Sequence, residues 1–333
     1  MNLALQSLSG VLDQADSRLR AGTHAATRIW PTGFPALDDN LGGGFRSGEL
    51  ILLTGPQGLG KTTFALQILR NIALNDRSVL YFSFEHDPQT LLERLVGIEA
   101  GEFAGVPAVH LDRIRRSFEA ADGKTGDIAQ RLADTTGGPE AIKAIQGYAD
   151  RLLLHRSSGN STTIETIHAV VDDVRAETGH LPFVVVDYLQ KVRAVDPATL
   201  EEERITGVVE GLKDLALELD VPVLAVVAAD KSGSTSGKRM RTHHMRGSSA
   251  LGYEADTVLI MNEKYDVVAR HHLVYDTRNA DRFRDYAVLT IEKNRNGMDR
   301  IDLEFRKRFN QGRFERDEQR VAEQLVDERV FIE

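Results

Sequence analysis

The chain has 333 residues, of which 41% are hydrophobic and 27% charged, the balance of a soluble globular protein with one large α/β domain or two small ones. It has no cysteine, which excludes disulfides and thiolate metal sites, and no apolar run reaches the roughly 18 residues of a spanning helix, so no membrane role and a cytoplasmic location are expected. A net charge of −9 excludes a protein coated in positive charge, though not a local basic channel.

The segment "LALQSLSGVLDQADSRLRAG" repeats apolar residues at helical spacing and stops at Gly22, which predicts a short amphipathic helix over residues 3–20. It cannot bury its apolar face alone and is expected to dock, on the main domain more often than on a neighbouring subunit. The turn-rich "PTGFPALDDNLGGGFRSGE" leads into the core. Next, "ELILLT" reads as a buried strand and "TTFALQILRNIAL" as a helix, with "GPQGLGKTT" between them.

In that junction Gly55, Gly58, Gly60, Lys61 and Thr62 match the phosphate-loop spacing, with Pro56, Gln57, Leu59 and Thr63 completing the stretch. Backbone N–H groups at a helix N-terminus wrap a polyphosphate, and side chains at the glycine positions would block that approach. Such a loop binds ATP, with Lys61 neutralising the β and γ phosphates and the Thr62 hydroxyl holding Mg²⁺.

Five further apolar runs of strand length follow: "SVLYFSFE", "RLLLHR", "PFVVVDYLQ", "VPVLAVVAAD" and "DTVLIMN". Most are separated by helical patterns such as "STTIETIHAVVDDVRAE" and "ITGVVEGLKDLALEL", so the expected fold is α/β with a mainly parallel sheet flanked by helices. The last runs, "YAVLTIEKNRNG" and "RIDLEFRKRFNQGRFE", alternate and predict an antiparallel hairpin at the sheet edge. Residues 101–150 are helical, polar and broken by glycines, and carry the least information. Asp187 ends an apolar strand, where ligands bind in open α/β sheets, and is the expected metal-side carboxylate. Glu85 ends another strand and could deprotonate water beside the γ phosphate. His86 and Asp87 beside it lack further ligands at metal spacing, and the adjacent His271 and His272 point in different directions, which predicts a surface role. Residues 231–252 hold no acidic residue but include Lys231, Lys238, Arg239, Arg241 and Arg246.

The segments "TGFPALDDNLGGGFRSGELILLTGPQGLGKTTFALQI", "YFSFEHDPQTLLERLVGIEAG", "VVVDYLQ", "LKDLALELDVPVLAV", "RGSSALGYEADTVLIM" and "IEKNRNG" occur in the order and approximate spacing of the RecA-like C-terminal domain of DnaB-type replicative helicases. The chain resembles that family over roughly residues 30–315, which divides it into a linker-like segment, 1–28, and an ATPase domain, 29–333. The resemblance implies a RecA-like P-loop NTPase, a hexamer with ATP bound between subunits, Glu85 as catalytic base, Lys61 and Thr62 on phosphate and Mg²⁺, and Asp187 as the second metal residue. It further implies that Lys293 and Arg295 reach the neighbouring subunit's γ phosphate, and that Arg246 and Ser249 contact single-stranded DNA. Lys238, Arg239 and Arg241 lie just upstream and are expected in the same channel.

The chain departs from the family pattern in a missing domain and at two positions. The family's N-terminal domain has no counterpart, so a protein partner is expected in its place. Ala228 stands where a glutamine usually senses the γ phosphate, and an alanine cannot hydrogen-bond a phosphate. Gly247 also replaces the usual acidic neighbour of Arg246. The expected function is an ATP-hydrolysing motor on single-stranded DNA; the alternative is a nucleotide-controlled switch or assembly platform that does not unwind DNA.

Overall fold

A computed structural model describes residues 7–21, 28–120, 122–123, 125–194, 200–230, 238–247, 249–274 and 277–328. The two short strands β1 (Ile29–Trp30) and β2 (Phe45–Arg46) pair with each other, and β3 (Leu50–Gly55) starts the main sheet. The other strands are β4 (Val79–Ser83), β5 (Leu152–Arg156), β6 (Phe183–Asp187), β7 (Val223–Ala228), β8 (Thr257–Glu263), β9 (Tyr286–Asn294), β10 (Ile301–Arg308), β11 (Arg313–Phe314) and β12 (Gln319–Arg320). The sheet order is β11-β10-β9-β8-β3-β7-β6-β4-β5, with β12 also on β10. From β8 to β5 the pairs are parallel; β9 joins β8 antiparallel, and β9 and β10 form the expected edge hairpin.

The continuous apolar character of the parallel strands has a simple cause: both faces of the sheet are covered. Alternate residues of β3 point to opposite sides, so Ile51 and Leu53 join one core and Leu50 and Leu52 the other. The first core packs against helix Lys61–Leu74 and the helices Pro88–Ala104 and Gly138–Tyr148; the second packs against Ile164–Thr178 and Glu201–Leu219. Residues 101–150 thus have a role that their sequence concealed, since Ala141, Ile145 and Tyr148 are buried in the first core.

The N-terminal helix spans Leu8–Arg20, with the Ser7 hydroxyl accepting from the Gly10 N–H at its start. Docking on the main domain, the more common outcome for such a helix, is not what is found: Leu8, Leu12 and Leu19 are 77%, 61% and 72% exposed. Asp87 proves to be a helix cap, its carboxylate accepting from the Thr90 N–H, and no cluster of three metal-ligating side chains occurs among the described residues. His272 lies at the surface, its ring accepting from the Gln324 N–H.

Candidate active site

The phosphate loop turns from β3 into helix Lys61–Leu74 through glycines in the left-handed region, Gly58 at φ +84° and Gly60 at φ +81°. A Cβ on Gly60 would lie 2.8 Å from the Phe309 ring and 3.1 Å from Phe314. Gly60→Ala is therefore expected to destabilise the fold by roughly 1–3 kcal/mol through backbone strain alone. Chemical denaturation of the variant checks this, and an unshifted midpoint would contradict it.

Around the loop the sheet brings together side chains far apart in sequence. The Thr62 hydroxyl donates to Asp187 Oδ2 at 2.6 Å, and the Tyr81 hydroxyl donates to the same oxygen at 2.6 Å. This follows from register, because β4 and β6 are neighbours and Ser83 pairs with Asp187. Burial, reinforced by the charge of Asp187 and the hydrogen bond to it, pushes the Tyr81 phenol well above its ordinary pKa, so Tyr81 stays a neutral donor that fixes the carboxylate. The Lys61 ammonium donates to Gly55 O at 2.8 Å and Pro56 O at 3.0 Å. Burial lowers its pKa, against the opposing charges of Asp187 and Glu85.

Lys61 and Thr62 line a cleft of about 370 Å³ that also includes Glu85, Arg94, Arg115 and Phe309, with Asp187 and Tyr81 buried behind Thr62. Glu85 lines it as an exposed carboxylate two residues beyond the end of β4. Arg94 reaches Thr63 Oγ1 at 3.4 Å, while its Nε is buried without a hydrogen-bond partner, an orphaned donor that an anion would satisfy. Burial, then the nearby Arg115 charge, lowers the Arg94 pKa. Arg115 and Phe309 carry no motif that singles them out in the sequence, and Arg94, although within the family-like stretch 81–101, is not among the site residues expected from it.

The residues fit a phosphate chain with Mg²⁺. A hydroxyl and a carboxylate on one point offer hard oxygen ligands, and Mg²⁺ characteristically takes one or two carboxylates and completes its shell with phosphate oxygens and water.

Lys293 and Arg295 lie elsewhere. Arg295 donates to Asp256 Oδ1 at 3.0 Å and to Tyr253 O at 2.7 Å. The Lys293 ammonium donates to the carbonyls of Gly252, Tyr253 and Ala255. Asp256 also accepts from the N–H of Leu50, the first residue of β3, whose last residue is Gly55. Five residues of strand at about 3.3 Å each put Arg295 roughly 17 Å from its own phosphate loop, at the opposite end of the sheet.

The basic segment divides in two. Arg246 and Ser249 are exposed at the carboxyl end of the sheet, where the Arg246 N–H donates to Ala228 O. Arg239 and Arg241, expected in the same channel, are committed to the fold instead. Arg239 is 5% exposed and donates to Thr290 Oγ1 and Asp302; Arg241 pairs with Glu292 and Asp327. Carboxylates neutralise both, which removes the charge a DNA phosphate would use. Lys238 is half-buried and its backbone bridges Glu328, while Lys231 and the rest of residues 231–237 lie outside the described residues.

The local geometry accounts for the glycine at 247, and at Ala228 it shows a main-chain contact that is independent of the side chain. A Cβ on Gly247, at φ +125°, would approach Ile205 to 2.8 Å, and the acidic partner of Arg246 is supplied by Glu201 at 2.8 Å. The Ala228 N–H is taken by Gln190 Oε1 at 3.1 Å, and the Gln190 amide donates to Arg246 O at 2.9 Å. Gln190, not read as a site residue from the sequence, thus ties the strand of Asp187 to the loop of Arg246.

Comparison with known proteins agrees with this architecture. Replicative DNA helicase DnaB of Pasteurella multocida is 27% identical over 316 residues, covering 92% of this chain and 60% of the relative. The protein of the same name from Haemophilus influenzae is 26% identical, covering 91% and 59%. The chain therefore spans about 60% of the length of these relatives. Among solved structures, one ATPase domain superposes with a TM-score of 0.72 at 20% identity, covering 93% of this chain and 98% of that one. A DnaB-like replicative helicase whose interactions with primase have been described gives a TM-score of 0.69 at 19% identity, covering 93% and 67%. The model of the DnaB-like helicase C terminal domain matches residues 30–315, and the chain belongs to that family.

Proposed function

We propose that the chain is an ATP-hydrolysing motor domain that assembles into a ring, hydrolyses ATP between subunits and moves on single-stranded DNA. The observation that supports this reading is the separation of Arg295 from its own phosphate loop: a permanently charged group suited to stabilise a transferring phosphoryl group lies out of reach of its own site and would serve a neighbour's. A ring of six is the expectation taken from the family. The exposed apolar face of helix Leu8–Arg20 supports the same view, since it is free to pack on an adjacent copy as part of a linker-like segment over residues 1–28.

Within one subunit, residues 55–63 cradle the phosphates and Lys61 leaves its backbone carbonyls to pair with them. Thr62 and Asp187 would hold Mg²⁺, with Tyr81 fixing Asp187. When bound, the ion neutralises charge on the phosphate oxygens. Glu85 orients water in line with the γ phosphate and takes its proton. The cytoplasm is the proposed location.

At the DNA face, Arg246 is held by Glu201, with side chains 56% and 49% exposed, a pair that a phosphate must displace. Glu201→Gln is expected to tighten binding of oligothymidylate about 1.5- to 5-fold, the value of an exposed ion pair. Arg246→Ala is expected to abolish stimulation of ATP hydrolysis by single-stranded DNA while basal turnover continues. Fluorescence anisotropy and steady-state turnover read these effects; full stimulation in Arg246→Ala would sink the motor reading. The switch reading has one observation in its favour: Ala228 offers the γ phosphate no side chain, and its N–H is already bonded to Gln190. A switch would tolerate Arg246→Ala.

A further inference from the structure

Arg295 follows the last residue of β9, and the register, with Asn294 opposite Thr257, brings it to the amino end of β8. Three other elements meet it there. Asp256 immediately precedes β8 and is buried. One of its oxygens, Oδ1, accepts from Arg295 Nη1 at 3.0 Å; the other, Oδ2, accepts from the Lys213 ammonium at 2.7 Å and from the Leu50 N–H at 2.8 Å. The carboxylate cannot turn without breaking contacts on both sides. Lys213, on helix Glu201–Leu219, is fixed in turn, because its ammonium also donates to Gly48 O at 2.9 Å.

The main chain is held at the same place. The Arg295 N–H donates to Asp256 O at 3.0 Å, and the amide of the next residue, Asn296, donates to the carboxylate of Glu49. Glu49 is itself buried, its other oxygen accepting from the Arg46 N–H at 3.0 Å. Arg295 Nη2 donates to Tyr253 O at 2.7 Å, so Asp256 and Tyr253 together engage two of the five N–H groups of a guanidinium. The side chain is nevertheless 48% exposed. A long side chain without partners samples many rotamers, and this bed removes that freedom before any phosphate arrives.

We propose that Asp256, itself held by Lys213, is the positioning residue for Arg295: it aims the guanidinium at phosphates bound by an adjacent subunit and acts only through that arginine. The inference rests on the reading of Arg295 as a finger across a subunit boundary and assigns that finger its support. Placement matters because an error of about 1 Å in a catalytic group can cost about 100-fold in rate.

The test is steady-state ATP hydrolysis by the full chain and by mixtures of chains. Asp256→Asn is expected to lower kcat about 10- to 100-fold and to leave KM for ATP unchanged, because the phosphate loop lies at the other end of the sheet. Added to Arg295→Ala, it should slow the enzyme no further, since nothing remains to be positioned. Mixing separates this role from a merely structural one. Asp256→Asn chains keep an intact phosphate loop and should recover activity with Lys61→Ala chains, which supply an intact Arg295; with Arg295→Ala chains they should recover none. If Lys61→Ala chains rescue Arg295→Ala but not Asp256→Asn, the latter is damaged in its own cleft, which would overturn the proposal. Should Asp256→Asn fail to fold, Lys213→Gln, which spares the carboxylate, must lower kcat with the same pattern of rescue. Wild-type kcat in whichever variant folds, with Arg295→Ala slow, would overturn the positioning role and leave the finger standing. Wild-type kcat in Arg295→Ala would overturn both.

Discussion

Arg295→Ala is expected to lower ATP turnover by about 10³- to 10⁵-fold, the range by which an arginine finger accelerates phosphoryl transfer. The fold should survive. Asp256 loses one partner but keeps Lys213 at 2.7 Å and the Leu50 N–H at 2.8 Å. ATP should still bind, because the residues that cradle it lie at the other end of the sheet. The decisive form of the experiment mixes subunits. Lys61→Ala chains cannot hold the phosphates but carry an intact Arg295; Arg295→Ala chains hold the phosphates but offer no finger. Each is inactive alone, and a mixture should recover part of the activity at interfaces where an intact loop faces an intact finger. A mixture as inactive as its components would remove the main support for catalysis across a subunit boundary. Lys293 is less suited to that role than its neighbour, since its ammonium already donates to three carbonyls.

Glu85→Gln should lower turnover by about 10²- to 10⁴-fold, the usual contribution of a general base. The amide keeps the shape and can still orient water, but it cannot accept the proton. Binding should be retained, because Lys61, Thr62 and Asp187 are untouched. Turnover and a binding titration with a fluorescent ATP analogue separate the two effects. Normal turnover would move the base elsewhere in the cleft.

The parts of this account that were legible in the sequence are those governed by short-range rules. Strands buried on both faces read as unbroken apolar runs, so β3, β4, β6, β7 and β8 could be placed and a mainly parallel sheet inferred, whereas the order of the strands in it could not. The phosphate loop is fixed by glycine spacing, and Asp187 and Glu85 by their place at strand ends. What failed depended on partners distant along the chain. Arg239 and Arg241 lie in a stretch without acidic residues, but the fold brings Asp302, Glu292 and Asp327 to them from 63, 51 and 86 positions away. Phe309 sits over Gly60 only because the edge hairpin returns to the phosphate loop. Gln190 closes the "VVVDYLQ" stretch, yet its role as a link between Ala228 and Arg246 depends on neighbours that only the fold brings together.

The measurement that tests the central claim most directly is steady-state ATP hydrolysis at fixed protein concentration, with and without a long single-stranded DNA, at low and high salt. A motor predicts strong stimulation by DNA that falls steeply as salt rises, because phosphate contacts release counterions. Hydrolysis at the same rate with and without DNA, at both salt concentrations, would contradict it.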